Sequence, residues 1–265
     1  WNARLPPGRR ARWGVVAAAT GNPGAAVALA GARLGLPVTI WVPEGTASTK
    51  LDAIRRLGAE IEFHGSDGVE SEMRARSEAE RVGLPYVSPY NDRAVVGGQG
   101  TVGLEIDRQL DDFDAVFVAV GGGGLISGLG GYLAEARPDV QIIGCSPEAS
   151  PVMDASVRAG RILELPCDPT LSDGTAGGVE RGAITFETCR LLVDQWIRVT
   201  EDQIAAAMVE FIESHHQLAE GAAGVALAGL LAAAERHEFE RAVVVVCGGN
   251  LSLAALRDLP VARSR

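Results

Sequence analysis

Three short turns hold the residues of this sequence that could do chemistry. Thr20-Gly21-Asn22 follows the apolar run Gly14–Ala19, Gly121–Gly124 follows Ala115–Val120, and Cys247-Gly248-Gly249-Asn250 closes the run Ala242–Cys247. Each run reads as a buried strand, and in doubly wound sheets ligands gather at the carboxyl ends of strands. On one sheet edge, three such turns can converge on one small ligand. The four successive glycines are the most informative signal. They let backbone N–H groups turn inward, and a helix beginning at Leu125 would add its positive end, together making an anion cradle suited to phosphate. The alternative is a flexible or tightly packed turn. The run does not fit G-x-G-x-x-G, because Ile126 takes the third glycine position, and it lacks the G-K-[S/T] ending of a nucleotide-binding loop. A compact phosphorylated cofactor suits it better than a dinucleotide or a nucleoside triphosphate.

The elements that must position these turns alternate along the chain. Strand-like runs are expected at Gly14–Ala19, Val38–Val42, Ile61–His64, Ala115–Val120, Val140–Cys145 and Ala242–Cys247. Helical stretches are expected at Ala25–Leu34, around Leu51, Ile54 and Leu57, and at Glu70–Arg81, the last charged and exposed. Further helices are expected at Thr101–Leu110, Leu125–Ala136, Phe186–Val193, around Ile204, Met208, Phe211 and Ile212, and at Ala222–Ala234. Strands that are apolar without alternation, separated by helices, predict parallel sheet covered on both faces. His215 and His216 are adjacent, so on a helix they point about 100° apart and read as structural.

Composition narrows the function classes. The chain has 265 residues with 34 acidic against 24 basic ones, a net charge of −10, which argues against a grip on nucleic acid or an anionic membrane. Residues 115–134 carry no charge, long enough to suggest a membrane span, yet seven of them are glycine, so strand, turn and helix explain them better. Cys145, Cys167, Cys189 and Cys247 form no C-x-x-C pair and read as reduced thiols of a cytoplasmic protein. Lys50 is the single lysine among the 24 basic residues.

The three turns together resemble the pyridoxal-phosphate (PLP) enzymes of the tryptophan-synthase β-like fold, fold type II, in the threonine/serine dehydratase branch. The stretches that carry the resemblance are ATGNPGAAVALA (19–30), VPEGTASTKLDAIRRLGAE (42–60), GGQGTVGLEI (97–106), VGGGGLISGL (120–129), LSDGTAGG (171–178), EGAAGVALAGLLA (220–232) and CGGNLS (247–252). The resemblance implies that Gly121, Gly122, Gly123, Gly124 and Leu125 hold the cofactor phosphate through backbone N–H groups. It places Asn22 at the ring hydroxyl and the backbone of Thr20, Gly21 and Asn22 at the substrate carboxylate. Cys247, followed by Gly248, would face the pyridine nitrogen, where many relatives place Ser. Without the resemblance it is a buried strand-end thiol. Glu220 matches a family acid near the cofactor, against the plainer reading of a solvated helix-start carboxylate. Asp173 matches a turn that shapes the substrate end, against a plain Asp-Gly turn. Thr20 also lies where racemases of this fold place a second-face hydroxyl.

The sequence departs from the family pattern at three places. Pro23 stands where relatives carry His, which stiffens the turn and removes a donor. Ser146 stands where some relatives carry a cation-binding Glu, with Glu148 displaced from that slot, so no metal is expected. The Schiff-base lysine of an S-F-K-like motif is not matched by Lys50, so the chain as written is expected to be inactive alone, either truncated or a pseudoenzyme. The reading implied overall is an α/β chain with a smaller α/β domain at 14–91 and a larger PLP-binding α/β domain from 1–13 and 92–265, the cofactor lying between them. Its expected activity is an ammonia-lyase converting threonine- or serine-like amino acids to keto acids. Same-fold racemase or β-replacement chemistry and a non-catalytic PLP or amino-acid binding module are the alternatives. The expected partners are a small amino acid and a second copy of the chain as a dimer, with neither nucleic acid nor membrane.

Overall fold

The computed structural model describes residues 14–19, 21–236 and 239–259. Thr20, residues 1–13 and the readings placed on them lie outside the described residues. The chain divides after Asp92 into two units.

The first unit runs β1 (Val15–Ala18), α1 (Asn22–Leu34), β2 (Val38–Val42), α2 (Ser48–Arg56), β3 (Glu60–Phe63), α3 (Gly68–Val82) and β4 (Tyr86–Val87). Its sheet has the order β3-β2-β1-β4 with every pairing parallel. The strand pleat sends Ala17, Val38, Ile40 and Val42 to one face, where they meet Ala28, Leu51 and Ile54. Val16, Ala18 and Trp41 go to the other, against Ala75 and Ala79. Burial on both faces is why these strands show no polar alternation. Gly31 lets α1 lie close to β2, since a Cβ there would overlap the Val38 side chain. The charged helix at 70–81 is not an exposed one. It starts at Gly68 behind an Asp67/Glu70 capping box and buries Ser71, Glu72, Ala75 and Ala79 on the sheet.

The second unit runs α4 (Arg93–Gln109), β5 (Ala115–Ala119), α5 (Gly124–Ala136), β6 (Gln141–Pro147), α6 (Val152–Ala159), α7 (Ile184–Leu192), β7 (Gln195–Val199), α8 (Glu201–His215), α9 (Gly221–Ala234), β8 (Ala242–Val244) and α10 (Leu253–Asp258). The sheet order is β7-β6-β5-β8, again all parallel. The core gathers Phe117, Ile143 and Val199 from the sheet with Ile204, Met208 and Val225 from α8 and α9. His215 ends α8, stacked on Phe211 with ring centroids 4.8 Å apart, and His216 is its left-handed C-cap. Among the described residues no helix is long and apolar enough to cross a membrane.

Three further expectations need correction. The helix expected from Thr101 begins at Arg93, eight residues earlier. Gly100 and Gly103 let α5 approach it closely. A Cβ on Gly103 would lie 2.9 Å from the Leu129 carbonyl oxygen, and Gly128 of α5 has no room for one beside the backbone of Val96 and Gly100. The last strand spans only Ala242–Val244 and is incompletely buried, because β8 pairs on one side, with β5, at the sheet edge. Finally, the three turns do not share one sheet edge. Gly21-Asn22 follows β1 of the first sheet, whereas the tetraglycine and Cys247 turns follow β5 and β8 of the second.

Candidate cofactor site

In the second unit, β5 is buried along its whole length and delivers the chain to Gly121. Gly123 is the N-cap of α5 in the left-handed region, φ 82°, and brings no side chain to cap the helix. A helix leaves its first N–H groups unpaired. Here the unpaired stretch is longer: among the described residues nothing accepts from the backbone N–H groups of Gly121 to Ile126. The protein closes the loop from behind. A Cβ on Gly121 would lie 2.8 Å from Cα of Thr175, and one on Gly123 would lie 2.8 Å from Sγ of Cys189. Consecutive free donors at a helix N-terminus, with no side chain intruding, fit a phosphate group. Leu125, half-buried, sits in the first turn of α5.

β8 pairs with β5 in the register Phe117↔Val244, so the tetraglycine and Cys247-Gly248 turns leave neighbouring strands at the same end. Burial, reinforced by the Glu220 carboxylate, pushes the Cys247 thiol up to about 11, so it is neutral at physiological pH. Glu220 is the N-cap residue of α9 and is tied to this turn twice. Its N–H donates to the Gly248 carbonyl at 3.0 Å, and its Oε2 accepts from the Asn250 N–H at 3.1 Å. Gly221 has no space for a side chain beneath the Leu171 carbonyl.

Asp173 is the exposed tip of a turn closed by the Thr175 N–H on the Ser172 carbonyl at 3.0 Å. The hydroxyls of Ser172 and Thr175 meet at 2.6 Å. Thr175, which sequence reasoning did not single out, is the residue that carries this turn onto Gly121. Its only signal was its place two residues past Asp173. In the first unit, Gly21 is the N-cap of α1 and Asn22 its first residue, with Pro23 following. Lys50 lies in the first turn of α2.

Ser146 is buried, and its hydroxyl donates to the Val120 carbonyl at 3.4 Å. Among the described residues no group of three or more His, Cys, Asp or Glu side chains could hold a metal ion.

A family model described as pyridoxal-phosphate dependent enzyme matches residues 3–248. Among curated proteins, the L-threonine ammonia-lyase of Thermotoga maritima is 39% identical over 241 residues, covering 91% of this chain and 59% of that protein. The chain spans about half the length of the curated relatives it matches. Among solved structures, the processed form of threonine deaminase isoform 2 from Solanum lycopersicum superposes with a TM-score of 0.88 at 33% identity, over 97% of this chain and 75% of that one. Maize serine racemase superposes with a TM-score of 0.86 at 29% identity, over 96% of this chain and 78% of that one.

Proposed function

This chain belongs to the pyridoxal-phosphate-dependent enzyme family, and from that premise we propose that it serves an ammonia-lyase reaction on a small β-hydroxy amino acid, threonine or serine. The observation that carries the reading is the run of N–H groups from Gly121 to Ile126, unpartnered among the described residues, at the N-terminus of α5. The substrate class is supported by the names of the relatives, a threonine ammonia-lyase and a threonine deaminase.

When bound, pyridoxal phosphate supplies the electron sink that acidifies the α-proton of an amino acid. The chain's residues would bind and orient. Gly121–Leu125 hold the phosphate through backbone N–H groups. Cys247 would face the ring nitrogen as a neutral thiol, able to meet it without adding charge, which would suit elimination of a β-hydroxyl. Glu220 keeps the Cys247-Gly248 turn in place through Gly248 and Asn250. By the family resemblance, Asn22 would orient the ring hydroxyl, the backbone of Thr20, Gly21 and Asn22 would receive the substrate carboxylate, and Asp173 would shape the substrate end. The four cysteines are free thiols, which supports a reducing, cytoplasmic setting. A dimer is proposed from the family resemblance alone.

The test is release of keto acid and ammonia from L-threonine and L-serine by a protein that carries this chain together with a Schiff-base lysine and is supplied with pyridoxal phosphate, alongside direct measurement of cofactor binding. Binding without any lyase activity in the complete protein would reject the reaction and keep the cofactor. The likeness to maize serine racemase favours racemisation as the second reading, and chiral analysis of the recovered serine separates the two.

A further inference from the structure

We propose that Thr185 is a positioning residue of the phosphate loop, acting through the carbonyl of Gly122; this rests on the reading of that loop as a phosphate site. Thr185 is the second residue of α7 and is wholly buried. Its hydroxyl is not spent on its own helix. It donates to the Gly122 carbonyl, 63 residues earlier in the chain, at 2.7 Å.

A peptide unit is planar, and in the trans form the carbonyl of one residue and the N–H of the next point in opposite directions. No cis peptide occurs among the described residues. Holding the Gly122 carbonyl on α7 therefore turns the Gly123 N–H away from α7. That N–H belongs to the run without partners among the described residues. The same surface packs beneath Gly123: a Cβ there would meet Cys189 Sγ at 2.8 Å, Met153 Cε at 3.1 Å and Thr185 Cβ at 3.2 Å. A peptide between two glycines has the lowest steric barrier to turning over. Turned over, it would present a carbonyl oxygen where the anion needs a donor. The Thr185 hydroxyl holds the peptide in the donor-out orientation, and its loss weakens anion binding specifically.

The experiment measures equilibrium dialysis of the protein against pyridoxal phosphate, inorganic phosphate and pyridoxal, which lacks the phosphate, with the ³¹P chemical shift of bound pyridoxal phosphate as a second readout. Thr185→Val keeps the shape and removes the hydroxyl. Its affinity for pyridoxal phosphate and phosphate is expected to fall roughly 10- to 100-fold, the size of a buried acceptor losing its partner. Pyridoxal affinity stays unchanged, the ³¹P shift moves, and Thr185→Ser restores both. Unchanged pyridoxal phosphate affinity in Thr185→Val overturns this inference alone. An equal loss for pyridoxal phosphate and pyridoxal assigns Thr185 a merely structural role and overturns it too. Wild-type protein that binds pyridoxal phosphate no better than pyridoxal overturns the phosphate-loop reading, and this inference with it. Should the Val variant fail to fold, Thr185→Ala against Thr185→Ser in the same assay decides: equal affinities reject the proposal, and a loss confined to Ala supports it.

Discussion

The backbone of Thr175 occupies the place where a side chain on Gly121 would stand, 2.8 Å from its Cα and 2.9 Å from its carbonyl oxygen. The Asp173 turn and the phosphate loop are thus pressed together through backbone atoms that cannot swing aside. Gly121→Ala is expected to destabilise the second unit by about 1–3 kcal/mol and to weaken cofactor binding. Gly123→Val adds the left-handed penalty of about 1–2 kcal/mol and should abolish retention of pyridoxal phosphate with the circular-dichroism spectrum little changed. Undiminished binding by both variants would remove the loop from the site.

Cys247 should be slow to alkylate. With its thiol pushed up to about 11, the thiolate is scarce at pH 8. The Glu220 carboxylate contributes to that upward push, so Glu220→Gln should lower the thiol's pKa and raise its alkylation rate at fixed pH. Peptide mapping of iodoacetamide labelling between pH 7 and 11 reads this directly. A slower Glu220→Gln reaction contradicts the sign.

Two thiols should make the protein alkali-sensitive. Burial raises both Cys145 and Cys189 from a usual 9.0 to about 12. A group whose folded pKa is raised stabilises below its unfolded pKa and loses that contribution as pH climbs through the folded one. Unfolding free energy should therefore fall between about pH 9 and pH 12, each thiol steepening the slope by up to ~1.4 kcal/mol per pH unit. Urea titrations at stepped pH should show a shallower slope for Cys189→Ala than for wild type.

Gly229 and Cys145 should be energetically coupled. A Cβ on Gly229 of α9 would overlap Sγ of Cys145 on β6. Gly229→Ala alone is expected to cost about 1–3 kcal/mol by overpacking. In a Cys145→Ala background the same change should be neutral or stabilising, because the sulfur is gone and Ala is the better helix former by ~1 kcal/mol. A double-mutant cycle in denaturant that shows simple additivity would mean the α9–β6 contact is looser than described.

Lys50 should not serve the cofactor. It sits in the first turn of α2, in the first unit, and it is the one lysine of the 265 residues. The chemistry needs a primary amine that holds the cofactor and removes the α-proton. The 265-residue chain is therefore expected to bind pyridoxal phosphate reversibly. Borohydride should leave no stoichiometric label on Lys50, and no keto acid should form from threonine or serine. Labelling of Lys50 together with turnover would overturn the role assignments above.

Much of the architecture was written in local pattern. Runs such as Val38–Val42 and Ala115–Ala119 lack polar alternation because helices cover both faces of their sheets, and that shows in hydropathy alone. The tetraglycine turn was legible for a similar reason. Four glycines before a helix allow a run of N–H groups to turn toward a ligand. By contrast, β4 is only two residues long, and Gln195 and Arg198 break up the apolar run of β7, so neither has a pattern strong enough to announce it. The start of α4 at Arg93 was not legible, and Gly100 lies inside that helix where α5 comes close, a Cβ there standing 3.3 Å from the Gly128 carbonyl oxygen. Which sheet each turn joins, that Thr175 backs Gly121, and that Thr185 holds Gly122 were decided by tertiary structure. Hydropathy and glycine content act on neighbours in the chain. A contact between residues 63 positions apart depends on how whole elements pack, and no local signal encodes it.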